Sequence, residues 1–262
     1  MNKLIKRRSN LKSKLKNREK VFAGWTSIAH PSITEIFTNI SIDFIGIDIE
    51  HSTINQQESQ RIVAASQAGG KLCLPRVASH NGEMIKRLLD SGADGVIVPM
   101  VNTVDEVRRI ISWCKYPPKG ARSYGISRAQ GYGFDFEEYV NNWNESSSII
   151  IQVESIKGVD NIDSLLEEDD IDGAMIGPYD LSGSLNIPGQ IEHQKVREAS
   201  ERIVSSCKQY GKSCGIQLVY PTIENVKEAF SSGYTFVVLA SDVFLLWKWS
   251  DQMNQLIAKN KQ

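Results

Sequence analysis

No stretch of this 262-residue chain approaches the roughly 18 consecutive apolar residues of a membrane-spanning helix. The amino end also lacks the apolar core of a signal peptide. Cysteine is scarce: four residues (Cys73, Cys114, Cys207, Cys214) and no C-x-x-C pair, so reduced and mostly buried thiols are expected. Net charge is almost nil, with 30 Lys and Arg against 31 Asp and Glu, so no global field draws in nucleic acid or an acidic membrane. No G-x-G-x-x-G turn follows the first apolar run, which tells against an open doubly wound sheet. Together these absences point to a soluble cytoplasmic protein with no nucleic-acid and no membrane partner.

One local charge excess remains. The amino end, "NKLIKRRSNLKSKLKNREK", is rich in Lys and Arg but has no interleaved aromatics, so it reads as a solvated helix or tail rather than a nucleic-acid arm. Residues 1–20 are therefore set apart from a single domain over 21–262.

What the chain does have is ordinary globular material, 41% hydrophobic and 23% charged, enough for a sizeable core. Short apolar runs alternate with amphipathic stretches. The runs are "VFAGW", "FIGIDI", "LCLPRV", "GVIVPM", "IIIQVE", "GAMIG", "GIQLV" and "TFVVLA". They do not alternate polar with apolar, as expected where both faces of a parallel strand are covered. Helix stops are legible at Gly69, Gly92, Gly211 and Gly233. Eight such units predict a closed (β/α)8 barrel. One long insertion, "YPPKGARSYGISRAQGYGFDFEEYVNNWNES", lies between the fourth helix and the fifth strand. It is expected to be an ordered loop serving the active site or a subunit contact.

In such a barrel the chemistry gathers at the carboxy-terminal strand ends. No lysine stands there: Lys71 and Lys212 begin their strands, at the opposite rim. Schiff-base catalysis needs a desolvated amine in the mouth, so it is improbable here. Glu154 and Asp180, from the fifth and sixth units, offer hard oxygen ligands suited to Mg²⁺ or Mn²⁺ with water and substrate completing the shell. Spacing alone leaves a salt-bridged role for them equally open. Arg76, after the third strand, has a donor fork that can hold an oxyanion or close a structural ion pair. His51, in "DIEHS", follows two acids at a strand end. Held by Asp48, or by Asp90 at the end of the third helix, it suits a general base acting directly or through water.

The segments "FIGIDIEHS", "LPRV", "KRLLDSGADGVIVPMVNTVDE", "YPPKGARSYGISRA", "IIIQVES" and "GPYDLSGSL" together resemble the HpcH/HpaI aldolase family, the class II (metal-dependent) pyruvate aldolases on a (β/α)8 barrel. The likeness runs from about Leu11 to Asp242. It implies reversible cleavage of a 4-hydroxy-2-oxo acid, a 2-keto-3-deoxy sugar acid or a 4-hydroxy-2-oxo-dicarboxylate, to pyruvate and an aldehyde. A divalent ion (Mg²⁺, Mn²⁺ or Co²⁺) on Glu154 and Asp180 is implied, with Arg76 holding pyruvate and its enolate. His51 is implied as catalytic, with Asp48 and Asp90 as its acids. Gln152, Pro178, Tyr179 and Asp180 fall on the substrate side. A homo-oligomer is implied too, a hexamer built as a trimer of dimers, with the last helix, "VFLLWKWSDQMNQLI", exchanged between subunits. Departures at "RVASHN", "GSLNIPG" and the variable loop leave the aldehyde open. Two other functions stay in view: a lyase for CoA thioesters of the citramalyl or malyl type, and a non-catalytic barrel that binds an oxo acid.

Overall fold

Most of the apolar runs are buried along their whole length, roofed by helices outside and packed side chains inside, while the seventh is only half-buried toward its carboxy end. A computed structural model describes residues 3–239 and 241–261. It opens with α1 (Lys3–Lys16), β1 (Val21–Thr26), α2 (Pro31–Thr38), β2 (Phe44–Asp48), α3 (Gln56–Ala68), β3 (Leu72–Arg76) and α4 (Gly82–Asp90). Then come β4 (Gly95–Val98), α5 (Val104–Cys114), a 3₁₀ turn (Arg128–Gly133), α6 (Phe136–Ser146) and β5 (Ser148–Val153). Two short helices, α7 (Ile156–Asp160) and α8 (Ile162–Leu166), lead to β6 (Gly173–Ile176). The rest is α9 (Pro178–Ser184), α10 (Gln194–Gln209), β7 (Ser213–Leu218), α11 (Ile223–Ser231), β8 (Phe236–Leu239) and α12 (Asp242–Asn260). The eight strands are all parallel and close in sequence order, β1 pairing with β8. This is the expected (β/α)8 barrel. No described helix is long and apolar enough to cross a membrane.

The amino end departs from the sequence reading. Residues 3–16 form a helix whose buried positions, Ile5, Arg8, Leu11 and Leu15, recur at three- and four-residue spacing. Leu11 and Leu15 pack onto the barrel interior with Val21, Phe44 and Phe236. Three of its cations are paired with acids of the barrel. Arg8 Nε meets Asp94 Oδ1 at 2.6 Å, Lys12 Nζ meets Asp172 Oδ1 at 2.7 Å, and Lys14 Nζ meets Asp43 Oδ1 at 2.6 Å. Those acids immediately precede β4, β6 and β2. Each also accepts a backbone N–H of the strand before: Cys73 to Asp94, Ile149 to Asp172 and Phe22 to Asp43. Thr235, before β8, repeats the device by accepting from Cys214 N. The helix α1 is thus the floor of the barrel, matched in charge to alternate strands.

The insertion is ordered around Arg122. Its guanidinium is buried over the rings of Tyr116 (4.7 Å), Tyr139 (5.6 Å) and Trp143 (4.7 Å). Its Nη2 pairs with Asp90 Oδ1 at 2.7 Å. Since α4 leaves the mouth and runs back down, Asp90 at its last residue lies toward the floor.

Candidate active site

Parallel register alone brings two of the expected residues together. Asp48 and Arg76 are Cα partners at the ends of β2 and β3, and their side chains form a fork: Arg76 Nη2 to Asp48 Oδ2 at 2.8 Å and Nε to Oδ1 at 3.2 Å. The same Nε lies 3.3 Å from Glu50 Oε2, and Nη1 lies 3.5 Å from Gln152 Oε1. The guanidinium stacks 5.2 Å above the buried ring of Trp25. Gly46 makes room for that ring, because a Cβ there would overlap it. A buried arginine gripped on four sides cannot swing, so its free edge is a preorganised donor.

Gln152 links this cluster to the next. Its amide donates to Glu154 Oε2, and Met100 N–H donates to Glu154 Oε1 at 2.8 Å. Met100 adopts a left-handed backbone, φ 54°, unusual for a residue with a side chain. Gly177 comes so near that a Cβ would lie 2.9 Å from Glu154 Cβ and 3.1 Å from Gln152 Nε2. Burial drives the Glu154 carboxyl up to about 7, outweighing the two donated hydrogen bonds, and the charges of Asp180 and Glu50 push the same way. Asp180 stands in the first turn of α9 beside Pro178 and the exposed Tyr179. Burial also raises the Glu50 carboxyl, with Arg76 and His51 opposing and Asp48 and Asp180 assisting.

His51 is placed differently from expectation. Its backbone N–H, not its ring, is bonded to Asp48 Oδ1, at 3.1 Å. Asp90 is committed to Arg122. Neither acid holds the imidazole within the protomer. The nearest carboxylate is Glu50, Oε2 to Nε2 at 3.7 Å, and the ring is 65% exposed. Glu50, the Met100 N–H and the Trp25 platform are the members that sequence reasoning left without a role. Glu50 was within reach of it, since residues two apart on a strand share a face with Asp48.

The mouth therefore gathers four carboxylates around one guanidinium. That surplus of hard oxygen donors, one of them held up near neutrality, fits a divalent cation. No group of three or more His, Cys, Asp or Glu side chains forms a closed metal shell among the described residues. Two carboxylates with open positions suit an ion that keeps water or takes up substrate oxygens.

The profile of the family described as HpcH/HpaI aldolase/citrate lyase matches residues 22–248. A hydroxypyruvate/pyruvate aldolase of Roseobacter denitrificans is 31% identical over 240 residues, 91% of this chain and 93% of its own. A 2-keto-3-deoxy-L-rhamnonate aldolase of Escherichia coli is 33% identical over 254 residues, covering 95% and 92%. Among solved structures, an HpcH/HpaI aldolase/citrate lyase family protein from Burkholderia cenocepacia superposes with a TM-score of 0.89 at 26% identity, covering 95% and 99%.

Proposed function

This chain belongs to the HpcH/HpaI aldolase/citrate lyase family, and from that premise we propose a division of labour among the residues of its barrel mouth. The protein is a carbon–carbon lyase, an aldolase that cleaves a keto-deoxy acid to pyruvate. The observation that carries the assignment of roles is the immobilised Arg76, forked on Asp48, flanked by Glu50 and linked through Gln152 to Glu154.

In the proposed reaction Arg76 turns its free edge to the substrate oxyanion, which gains charge as the C3–C4 bond breaks. Gln152 spans Arg76 and Glu154 and keeps both carboxyl and guanidinium in place. His51 accepts the proton of the C4 hydroxyl as the aldehyde leaves, and C3 then takes up a proton to give pyruvate. Pro178 and Tyr179 line the path to Asp180. Glu154 and Asp180 would hold a divalent ion, Mg²⁺, Mn²⁺ or Co²⁺, which polarises the keto oxygen as a Lewis acid. All four cysteines are free and buried, which supports a reducing cytoplasmic setting.

A CoA-thioester lyase would need a basic groove for phosphates near the mouth, and the candidate cations are paired or placed at the other end. Arg122 is buried on Asp90, Arg128 donates to Gln67 and Ser91 O, and α1 lies across the barrel floor with Arg8, Lys12 and Lys14 paired to acids there. A panel of 4-hydroxy-2-oxo acids, including 2-keto-3-deoxy-L-rhamnonate, is expected to release pyruvate, while citramalyl-CoA yields none. Release of pyruvate and acetyl-CoA from citramalyl-CoA, with no pyruvate from the panel, would reverse the assignment.

The assembly is proposed to be a homo-oligomer, a hexamer arranged as a trimer of dimers, with α12 lying on a neighbouring subunit. Only Asp242 of α12 is buried, while Leu245, Leu246, Trp247, Trp249, Leu256 and Ile257 are all about half exposed. Trp247→Glu combined with Trp249→Glu is expected to shift the mass measured by light scattering from six subunits to smaller species. An unchanged mass would show that α12 does not hold the assembly.

A further inference from the structure

We propose that Asp242 is a positioning residue for the aldehyde half of the substrate: its buried carboxylate ties residues 27–30, the loop between β1 and α2, to the first turn of α12. The inference rests on the aldolase reading of the mouth and extends it to a residue outside the cluster of Arg76, Gln152 and Glu154.

Asp242 opens α12, yet the helix does not need it as a cap. Ser241 provides the cap: its Oγ accepts from Phe244 N at 3.2 Å and its carbonyl from Leu245 N at 2.9 Å. From its own helix the Asp242 carboxylate takes a single N–H, that of Val243, at 2.8 Å from Oδ1. Its other donors come from the far end of the chain. Ser27 N lies 2.9 Å from Oδ1 and 3.0 Å from Oδ2, and Ile28 N lies 2.9 Å from Oδ2. Backbone N–H bonds to a carboxylate are the stronger kind, and these are shielded from water, since Asp242 is 3% exposed. No other residue of α12 is buried.

The loop so held lies beside the chemistry. β1 pairs with β2 as far as Thr26 on Ile47, so Ser27 comes opposite Asp48, at the head of the turn that carries His51. Two residues before Ser27, Trp25 bears the Arg76 guanidinium. In the proposed reaction the oxo-acid end of the substrate is taken by Arg76 at β3, Gln152 and Glu154 at β5, and Asp180 in α9. The C4 hydroxyl sits at His51, after β2. The chain beyond C4 then has the remaining arc of the mouth, from β1 round to β8 and β7, to lie against. Residues 27–30 are the part of that arc next to His51. Their far end is already fixed: Ile28 O accepts from His30 N at 2.8 Å, and His30 Nδ1 caps α2 by accepting from Ser32 N at 3.2 Å. Asp242 fixes the near end. Small displacements of such a wall are costly, because catalysis depends on substrate placement to within about 1 Å.

The test is Asp242→Asn, which keeps the shape but turns one acceptor oxygen into an amide that faces a backbone donor with donors of its own. Three quantities are read on the full chain with Mg²⁺. They are the KM for lactaldehyde in condensation with saturating pyruvate, deuterium exchange into the pyruvate methyl group without aldehyde, and the mass by light scattering. Lactaldehyde is the fragment that 2-keto-3-deoxy-L-rhamnonate leaves beside pyruvate. The aldehyde KM is expected to rise about tenfold, with methyl exchange within about twofold of wild type and the mass unchanged. Amide hydrogen exchange is expected to quicken over residues 26–30 and not in β5. Methyl exchange lost in step with the aldehyde reaction would make Asp242 a prop for the whole barrel and overturn the inference. Wild-type values throughout would overturn it too. Should Asp242→Asn not fold, Asp242→Ser, whose hydroxyl can still accept one N–H, is held to the same results. If the wild type itself exchanges no methyl deuterium, the aldolase reading falls and takes this inference with it.

Discussion

Arg76→Lys is expected to lower kcat for pyruvate release by about 10²–10³, the usual loss when an oxyanion donor is removed. Charge alone does not replace this residue. Its fork spans both oxygens of Asp48, its Nε reaches Glu50, its Nη1 reaches Gln152, and its plane lies on Trp25. An ammonium is a point donor on a flexible stem and can satisfy one or two of these at once. The variant keeps a cation beside Asp48, so its thermal midpoint is expected to fall by only a few degrees. Arg76→Ala is a poorer experiment, because Asp48 is 6% exposed and would be stranded. Breaking such a buried pair costs about 3–5 kcal/mol, so lost activity would be confounded with lost structure. Near-normal turnover in Arg76→Lys, measured by coupling pyruvate to lactate dehydrogenase, would remove Arg76 from the chemistry.

Removing divalent metal with a chelator is expected to abolish pyruvate release, with Mg²⁺, Mn²⁺ or Co²⁺ restoring it in the wild type but not in Glu154→Gln. The pH behaviour sharpens this. Burial raises the Glu154 carboxyl from 4.5 to about 7, so the metal-free fold favours its neutral form. The stability it contributes is full below its ordinary value and is lost as pH rises through about 7. A bound cation reverses that preference by competing with the proton. Calorimetric Mn²⁺ affinity is therefore expected to climb about tenfold per pH unit below neutrality and to level off above it. Glu154→Gln is expected to show weak binding without that slope. A wild-type affinity flat from pH 5.5 to 8 would mean that Glu154 is not a ligand.

The barrel is legible because its evidence is local: uninterrupted apolar runs and glycine stops need no partner to be read. The mouth is legible nearly as well, since residues at consecutive strand ends must converge once the barrel closes. Asp48 and Arg76 meet by register alone. What escapes is pairing over distance. Lys14, Arg8 and Lys12 of α1 look solvated in one dimension because Asp43, Asp94 and Asp172 lie 29, 86 and 160 residues from them. The ion pair of Asp90 with Arg122, 32 residues on in the insertion, is likewise not legible in the sequence.

Crystals grown with Mn²⁺ and oxalate, a bidentate mimic of the enolised oxo acid, test the proposed chemistry most directly. The expected result is an anomalous peak between Glu154 and Asp180, with oxalate seated on it and turned toward the Arg76 guanidinium. Glu154 and Asp180 pointing apart, with no ion between them and oxalate elsewhere, would contradict it.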